Sequence, residues 1–143
     1  MAGDGEPEIS PETIRERIDG SFPGDLGLEP LEIGPERAVG RMVVDRRHLH
    51  PGGYVHGGAW VALADSVAAW GTFRNLPSGQ DFTTIELKLN VFAAAGPGEE
   101  LIATAEAHHV GRRTQVWEVR VHRDERQVAL FTVTQMVLQP RDR

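Results

Sequence analysis

One long apolar segment of small residues, interrupted by a single acid, constrains the fold most. Residues 57–73 read GGAWVALADSVAAWGTF, and the acid is Asp65. The segment is long enough for a helix and apolar nearly all round, which is typical of a buried helix rather than a surface helix. Its many Ala and Gly residues allow other elements to approach closely. The rest of the chain is therefore expected to wrap around this helix.

The segments on either side of this helix are typical of β-strands. Two short strands are predicted before it, and four after it form an antiparallel meander, at residues 31–33, 38–45, 83–91, 101–110, 114–123 and 128–138. In the first strand after the helix, apolar residues at 85, 87, 89 and 91 alternate with Thr84, Glu86, Lys88 and Asn90. A period of two predicts a half-buried strand with this second set on the polar face. We therefore predict an α+β fold, with one long central helix wrapped by a curved antiparallel sheet.

The N-terminal part combines an acidic leader with a short helix. Residues 1–8 are acidic and rich in Gly and Pro, which favours a disordered leader, and residues 9–143 are predicted to form a single domain. Ser10, Pro11 and Glu12 form a helix-start signal, with Ile14 and Ile18 on one face. Residues 22–28 are interpreted as a loop. The leader lacks the basic and apolar regions of a signal peptide, so a cytoplasmic location is expected.

Composition excludes several classes of function. The chain of 143 residues carries 15 basic and 21 acidic residues, which argues against a nucleic-acid partner. It has no Cys, so disulfides and thiolate metal sites are excluded. No apolar run approaches the roughly 20 residues that span a bilayer, so no membrane partner is expected. His48, His50 and His56 lie close in sequence, but no carboxylate cluster accompanies them, and no metal site is predicted.

Asp65 needs an explanation from outside its own helix. Its helical neighbours are Val61, Ala62, Ala68 and Ala69, and none of them can pair with a carboxylate. An ionised carboxylate on a buried helix is costly unless it is hydrogen-bonded or paired. Asp65 therefore either faces solvent or serves a function, and a carboxylate held away from water suits a general base or a nucleophile.

The start of the same helix offers a second chemical group. A helix N-terminus has free N–H groups and a partial positive charge, and Gly57 has no side chain to block an approaching carbonyl oxygen. Gly57 and Asp65 are eight residues apart, or about 12 Å along a helix. One reacting group spans only about 3 Å. If both residues act on one group, they must come from different chains, which predicts a dimer.

Several motifs together resemble the hot-dog-fold acyl-CoA thioesterases, most closely the phenylacetate-degradation and 4-hydroxybenzoyl-CoA types. The resemblance covers residues 31–138. It rests on His56-Gly57-Gly58, Leu63-Ala64-Asp65-Ser66, the strand TIELKLN at residues 84–90 and the turn Gly111-Arg112-Arg113.

The resemblance implies roles for particular residues. Gly57 matches the glycine whose N–H polarises the thioester carbonyl, and Asp65 matches the nucleophile or general base. His56 matches the His beside that glycine, and His50 stands where relatives more often have Gln or Asn. Substrate or CoA binding is implied for Gly58, Asn90, Arg112 and Arg113, although the two arginines also suit a solvated hairpin turn. Relatives often have Thr or Ser at Ala69, and an Arg-Pro pair at Ala93-Ala94.

The expected activity is hydrolysis of an acyl-CoA or aryl-CoA thioester to the free acid and CoA. No cofactor is expected, since coenzyme A is part of the substrate. The chain is expected to form at least a homodimer, and more specifically a homotetramer. Two alternatives remain open at this point. One is an enoyl-thioester hydratase or dehydratase on the same fold, using His56 and Asp65. The other is a non-catalytic acyl-CoA-binding protein.

Overall fold

A computed structural model describes residues 8–140. The helices are α1 (Pro11–Ile18), α2 (Phe22–Asp25) and α3 (Gly57–Asn75), with a short 3-10 helix at Arg46–His48. The strands are β1 (Glu29–Ile33), β2 (Arg37–Val43), β3 (Asp81–Val91), β4 (Glu100–Val110), β5 (Thr114–Arg123) and β6 (Arg126–Leu138). The leader predicted for residues 1–8 lies outside the described residues, except for Glu8.

The six described strands form one antiparallel sheet in the order β1-β2-β4-β5-β6-β3. Helix α3 contacts every one of them, which confirms the predicted central helix wrapped by a sheet. The predicted four-strand meander is wrong at one connection, because β3 pairs with β6 and β4 pairs with β2. With β3 at one end of the sheet and β1–β2 at the other, both sides of the apolar helix are covered.

Close contact between α3 and the sheet depends on small residues, as the sequence predicts. A Cβ atom added to Gly71 of α3 would lie 2.4 Å from the Trp117 ring of β5. A Cβ atom on Gly40 of β2 would lie 2.5 Å from the Val67 side chain of α3. Trp117 and Val67 are both fully buried. The two glycines therefore set the distance at which helix and sheet pack.

The N-terminal segment agrees with the prediction in one part and differs in another. Ser10 caps α1 through a reciprocal hydrogen-bond pair with Thr13, and Ile14 and Ile18 are buried, as predicted. The loop predicted for residues 22–28 is wrong over α2. Proline fits the first turn of a helix, so Pro23 starts a short helix here instead of preventing one.

A β-bulge in β3 changes which side chains face α3. The register against β6 shifts between Thr84 and Glu86. The strict alternation that assigned Thr84 to the polar face is therefore wrong at this residue. A bulge re-aims the side chains beside it, and Thr84 is half-buried against α3, while Thr83 is exposed.

Candidate active site

The first turn of α3 leaves one backbone donor without a partner among the described residues. His56 is the N-cap, and its Nδ1 accepts a hydrogen bond from the Gly58 N–H at 2.8 Å. The N–H groups of Ala59 and Trp60 both donate to the His56 carbonyl oxygen, at 2.8 and 3.2 Å. The Gly57 N–H remains free at the positive end of the helix dipole.

Gly57 also opens onto a cavity of about 390 Å³, which we name the N-terminal cavity. Gly57 is exposed, and a Cβ atom added to it would have no neighbour within 4 Å, so the space beside the first residue of α3 is open. The cavity has a largely apolar and aromatic lining: His50, Tyr54, Val55, Gly57, Trp60, Val91, Phe92, Ala93 and Ala94. An oxyanion or a polarised carbonyl oxygen bound here would accept a hydrogen bond from the Gly57 N–H.

His50 and His48 have different environments in the loop before α3. Nδ1 of His50 accepts a hydrogen bond from the Gly52 N–H at 2.9 Å, which assigns the proton of the neutral ring to Nε2. His50 lines the N-terminal cavity, with its ring centroid 6.3 Å from that of Tyr54. His48 is buried, and its ring bridges the Asp45 N–H and the Leu26 carbonyl oxygen. We therefore interpret His48 as a structural residue that fixes the loop.

No group of three or more metal-ligating side chains occurs in residues 8–140. The three histidines of this region are separately engaged. His48 and His50 have the backbone partners given above, and His56 caps α3.

Asp65 is half-buried in the middle of α3 and has no ion-pair partner among the described residues. Its Oδ1 accepts a hydrogen bond from the Thr84 hydroxyl at 2.9 Å. Burial raises the pKa of Asp65, and hydrogen bonding from Thr84 and Gln135 opposes this rise only in part. A carboxylate with a raised pKa is a stronger base than an ordinary aspartate, which suits proton abstraction from water.

Gly57 and Asp65 do not meet within one chain. They lie on one continuous helix, so their separation along the axis is about 12 Å. Asp65 is also absent from the lining of the N-terminal cavity. Within one chain the donor N–H and the carboxylate are therefore at two separate places.

Comparison with known proteins identifies the family. A sequence profile described as the thioesterase superfamily matches residues 52–130, which include Gly57, Asp65 and Arg113. The chain belongs to the thioesterase superfamily. It is a thioester hydrolase with the hot-dog fold, as the sequence motifs predict.

Individual relatives support this assignment over most of the chain. The chain is 33% identical over 96 residues to a 1,4-dihydroxy-2-naphthoyl-CoA hydrolase of Listeria monocytogenes, covering 67% of this chain and 77% of the relative. A thioesterase structure from Haemophilus influenzae shares the fold, with a TM-score of 0.85, 23% identity and 92% coverage of both chains. A mutant of the phenylacetic acid degradation protein PaaI from Thermus thermophilus is 33% identical, with a TM-score of 0.74 and coverage of 80% and 96%.

The residues predicted to bind substrate or CoA lie at several separate places in this thioesterase. Arg112 and Arg113 are exposed and line a larger cavity of about 690 Å³ at the other end of α3, which we name the C-terminal cavity. Asn90 is exposed on β3 opposite Leu130 and lines neither cavity. The Gly58 N–H is already bonded to His56. Among the predicted site residues, His50 and Gly57 share the N-terminal cavity, and Arg112 and Arg113 share the C-terminal cavity.

Sequence reasoning missed two polar residues beside Asp65. Thr84 was assigned to the outer face, because the bulge that turns it toward α3 has no sequence signal in a single chain. Gln135 is fully buried between Val133 and Val137 on the inner side of β6. A polar residue at a core position of an alternating strand was a visible signal for Gln135.

No helix in residues 8–140 has both the length and the hydropathy needed to cross a membrane.

Proposed function

We propose that this thioesterase hydrolyses an acyl-CoA or aryl-CoA thioester to the free acid and CoA. The observation that carries the proposal is the combination on α3 of the Asp65 carboxylate, whose pKa is raised, with the Gly57 N–H; within residues 8–140 the carboxylate has no cationic partner and the N–H has no acceptor. The first group suits a base or nucleophile, and the second suits an oxyanion donor. The name of the Listeria relative, an aryl-CoA hydrolase, supports this class of substrate.

In this proposal Gly57 and Asp65 act on the same thioester. The carbonyl oxygen accepts a hydrogen bond from the Gly57 N–H, which stabilises negative charge in the tetrahedral intermediate. As general base, Asp65 takes a proton from water while the water oxygen bonds to the carbonyl carbon. The C–S bond then breaks, and the proton passes to the CoA thiolate. As nucleophile, Asp65 would instead displace the thiolate to form an anhydride, which water then hydrolyses.

We further propose that Gly57 of one protomer and Asp65 of its partner form each site, in at least a homodimer and more specifically a homotetramer. The 12 Å separation along α3 supports this arrangement. Strand β3 is also an edge strand of the sheet. Its apolar side chains Ile85, Leu87 and Val91, and Phe92 just beyond it, are 40–54% exposed. An exposed apolar edge of this kind is typical of a surface that a second chain covers.

The remaining predicted residues are proposed to bind the substrate around this pair. His50 can donate a hydrogen bond from Nε2 into the N-terminal cavity, and His56 orients the first turn of α3. Arg112 and Arg113 have no ion-pair partner in the described part of the chain, so their guanidinium groups are available to CoA phosphates. The binding roles of Gly58 and Asn90 rest on the sequence resemblance alone, because the Gly58 N–H is bonded to His56 and Asn90 lines neither cavity.

A panel of aliphatic and aromatic acyl-CoA esters, assayed for thiol release with a thiol reagent, tests the proposal. A thioesterase releases free CoA, and kcat/KM ranks the acyl groups. A hydratase or dehydratase would change the acyl chain without releasing a thiol, and a binding protein would do neither. Asp65→Asn is the matched variant, with Glu16→Gln, an exposed acid on α1, as its control. Thiol release that is unchanged in Asp65→Asn would remove Asp65 from the mechanism.

A further inference from the structure

We propose that Thr84 and Gln135 are positioning residues that hold the Asp65 carboxylate in place through a chain of two hydrogen bonds. This inference rests on the proposed catalytic role of Asp65. Gln135 donates to the Thr84 hydroxyl oxygen, and the Thr84 hydroxyl donates to Oδ1 of Asp65. The second oxygen of the carboxylate is thereby left for water or for the thioester carbonyl carbon.

The local geometry explains why the donor to Asp65 comes from the sheet. The residues three and four positions from Asp65 on α3 are all Val or Ala, so that face of the helix offers no side-chain donor. The β3 bulge follows immediately after Thr84, and the Thr84 side chain faces Asp65. The Thr84 hydroxyl oxygen lies 2.9 Å from Oδ1 of Asp65. Bulges often re-aim a side chain beside an active site. Without this irregularity, the alternation of β3 would place Thr84 on the outer face.

Gln135 is difficult to explain as a core residue. Its side chain is 0% exposed, and it lies directly opposite Thr84 in the register of β3 and β6. Its Nε2 lies 3.5 Å from the Thr84 hydroxyl oxygen, whereas its Oε1 is buried without a hydrogen-bond partner among the described residues. A buried unpaired carbonyl oxygen costs folding free energy that an apolar side chain would avoid.

The direction of the two hydrogen bonds gives Gln135 a specific effect. The hydroxyl of Thr84 can donate one hydrogen bond and accept others. When its oxygen accepts from Gln135, its own hydrogen is directed to Asp65 instead of turning elsewhere. Gln135 therefore acts through Thr84, and it also acts on the carboxylate itself, because side-chain hydrogen bonding from Gln135 lowers the pKa of Asp65 as that from Thr84 does.

The chain also adjusts the protonation of Asp65. From the described elements packed against it, Thr84 of β3 and Gln135 of β6 are the polar groups that influence its pKa, and no charged group does so. Hydrogen bonding to Asp65 from Thr84 and from Gln135 favours the ionised carboxylate and so opposes the effect of burial. Loss of the Thr84 hydroxyl is therefore expected to raise the pKa of Asp65 further, leaving less of the base ionised at a given pH.

The test compares Thr84→Val, which removes the hydroxyl at nearly constant shape, with Thr84→Ser, which retains it. Gln135→Met removes the second donor, and Thr83→Val on the exposed side of β3 is the matched control. We expect Thr84→Val to lower kcat about tenfold or more, the effect of a lost hydrogen bond to a charged group. The acidic limb of the kcat/KM profile should move to higher pH, whereas Thr84→Ser and Thr83→Val should keep the wild-type limb.

Gln135→Met should cause a smaller shift in the same direction, and adding it to Thr84→Val should raise the pKa of Asp65 further, because Gln135 also bonds to the carboxylate. Carboxyl ¹³C NMR, with Asp65→Asn to assign the resonance, measures the pKa of Asp65 without relying on activity. An unchanged acidic limb and an unchanged Asp65 pKa in Thr84→Val would reject the positioning role. If Thr84→Val does not fold, Gln135→Met provides the test instead, because it retains the Thr84 hydroxyl. An unchanged acidic limb and an unchanged Asp65 pKa in that variant would then reject the positioning role.

The same experiment separates this inference from the proposed function. If Asp65→Asn is inactive and Thr84→Val resembles wild type in rate and pKa, the positioning role is wrong and the proposed function stands. If Asp65→Asn remains active, the proposed function is wrong and the positioning role falls with it.

Discussion

A shared active site predicts that two inactive variants restore activity when mixed. One variant is Gly57→Pro, which lacks the donor N–H, and the other is Asp65→Asn, which lacks the base. In a mixed dimer, one site receives both altered residues and the other receives both intact residues. Random exchange of equal amounts makes half of the dimers mixed, each with one of two sites restored. The expected activity is therefore about a quarter of wild type, provided that the donor and the base come from different chains.

The structure supports Gly57→Pro as a clean removal of the donor. Gly57 is the first residue of α3, a position that proline favours. His56 before it has ψ 143°, in the extended region that a residue before proline requires. No described residue accepts a hydrogen bond from the Gly57 N–H, and a Cβ atom there has open space. Gly57→Ala, which keeps the N–H, is the matched control for the added atoms.

The assay is initial-rate thiol release after subunit exchange. Circular dichroism checks that each variant is folded, and native mass spectrometry measures the fraction of mixed dimers. Activity should rise in proportion to that fraction. Confirmed exchange between folded chains without recovered activity would refute the shared site and, with it, the role of Gly57 or of Asp65.

Four further sets of substitutions have expected outcomes. Asp65→Asn should lower kcat at least about 100-fold. The same variant should raise Tm at pH 7. The pKa of Asp65 is higher in the folded chain than in the unfolded chain, so the ionised carboxylate destabilises the fold above the unfolded-state pKa. The gain in Tm should therefore disappear below about pH 4. Replacing Arg112 and Arg113 with Ala should raise KM for CoA esters but not for N-acetylcysteamine thioesters. Arg120→Ala on the outer face of the sheet is the control. An equal loss of activity on both types of substrate would indicate that the two arginines have a structural role. Hydrogen bonding from Arg47 lowers the pKa of Asp45 to about 2. The ionised Asp45 therefore stabilises the fold above about pH 4, and this stabilisation is lost as the pH falls through 2. Acid titrations of stability should show this loss in wild type and not in Asp45→Asn, with an effect below about 1 kcal/mol because the pair is exposed. Gly71→Ala should destabilise the fold by about 1–3 kcal/mol in denaturant titrations, since its Cβ would lie 2.4 Å from Trp117, whereas Gly57→Ala should not.

The central helix was predictable because its pattern leaves few alternatives. A segment that is apolar on all sides must be buried, and the structure places α3 against all six described strands. The order of the strands was less predictable. Alternation shows that a segment is a strand, but it does not show which strand is its neighbour. Pairing of β4 with β2 depends on contacts across the sheet that local periodicity does not contain.

The candidate site was predictable to the extent that it lies on α3. Gly57 and Asp65 stand out because a helix start and a lone acid are local features of the sequence. Thr84 depends on a bulge, and a one-residue irregularity reverses the face that alternation assigns. Tyr54 and Phe92 of the N-terminal cavity come from two loops that are distant in sequence, so only the folded chain brings them together.

The environment of Asp65 connects stability with reactivity. Burial destabilises the ionised carboxylate, and the same burial raises its pKa and makes it a stronger base. Full burial without a partner would leave the group protonated and inactive as a base near neutral pH. The Thr84 hydrogen bond limits this effect without adding a positive charge, whereas an ion pair would lower the pKa and weaken the base. A neutral donor from the sheet therefore favours the ionised form of Asp65 while its pKa stays raised by burial.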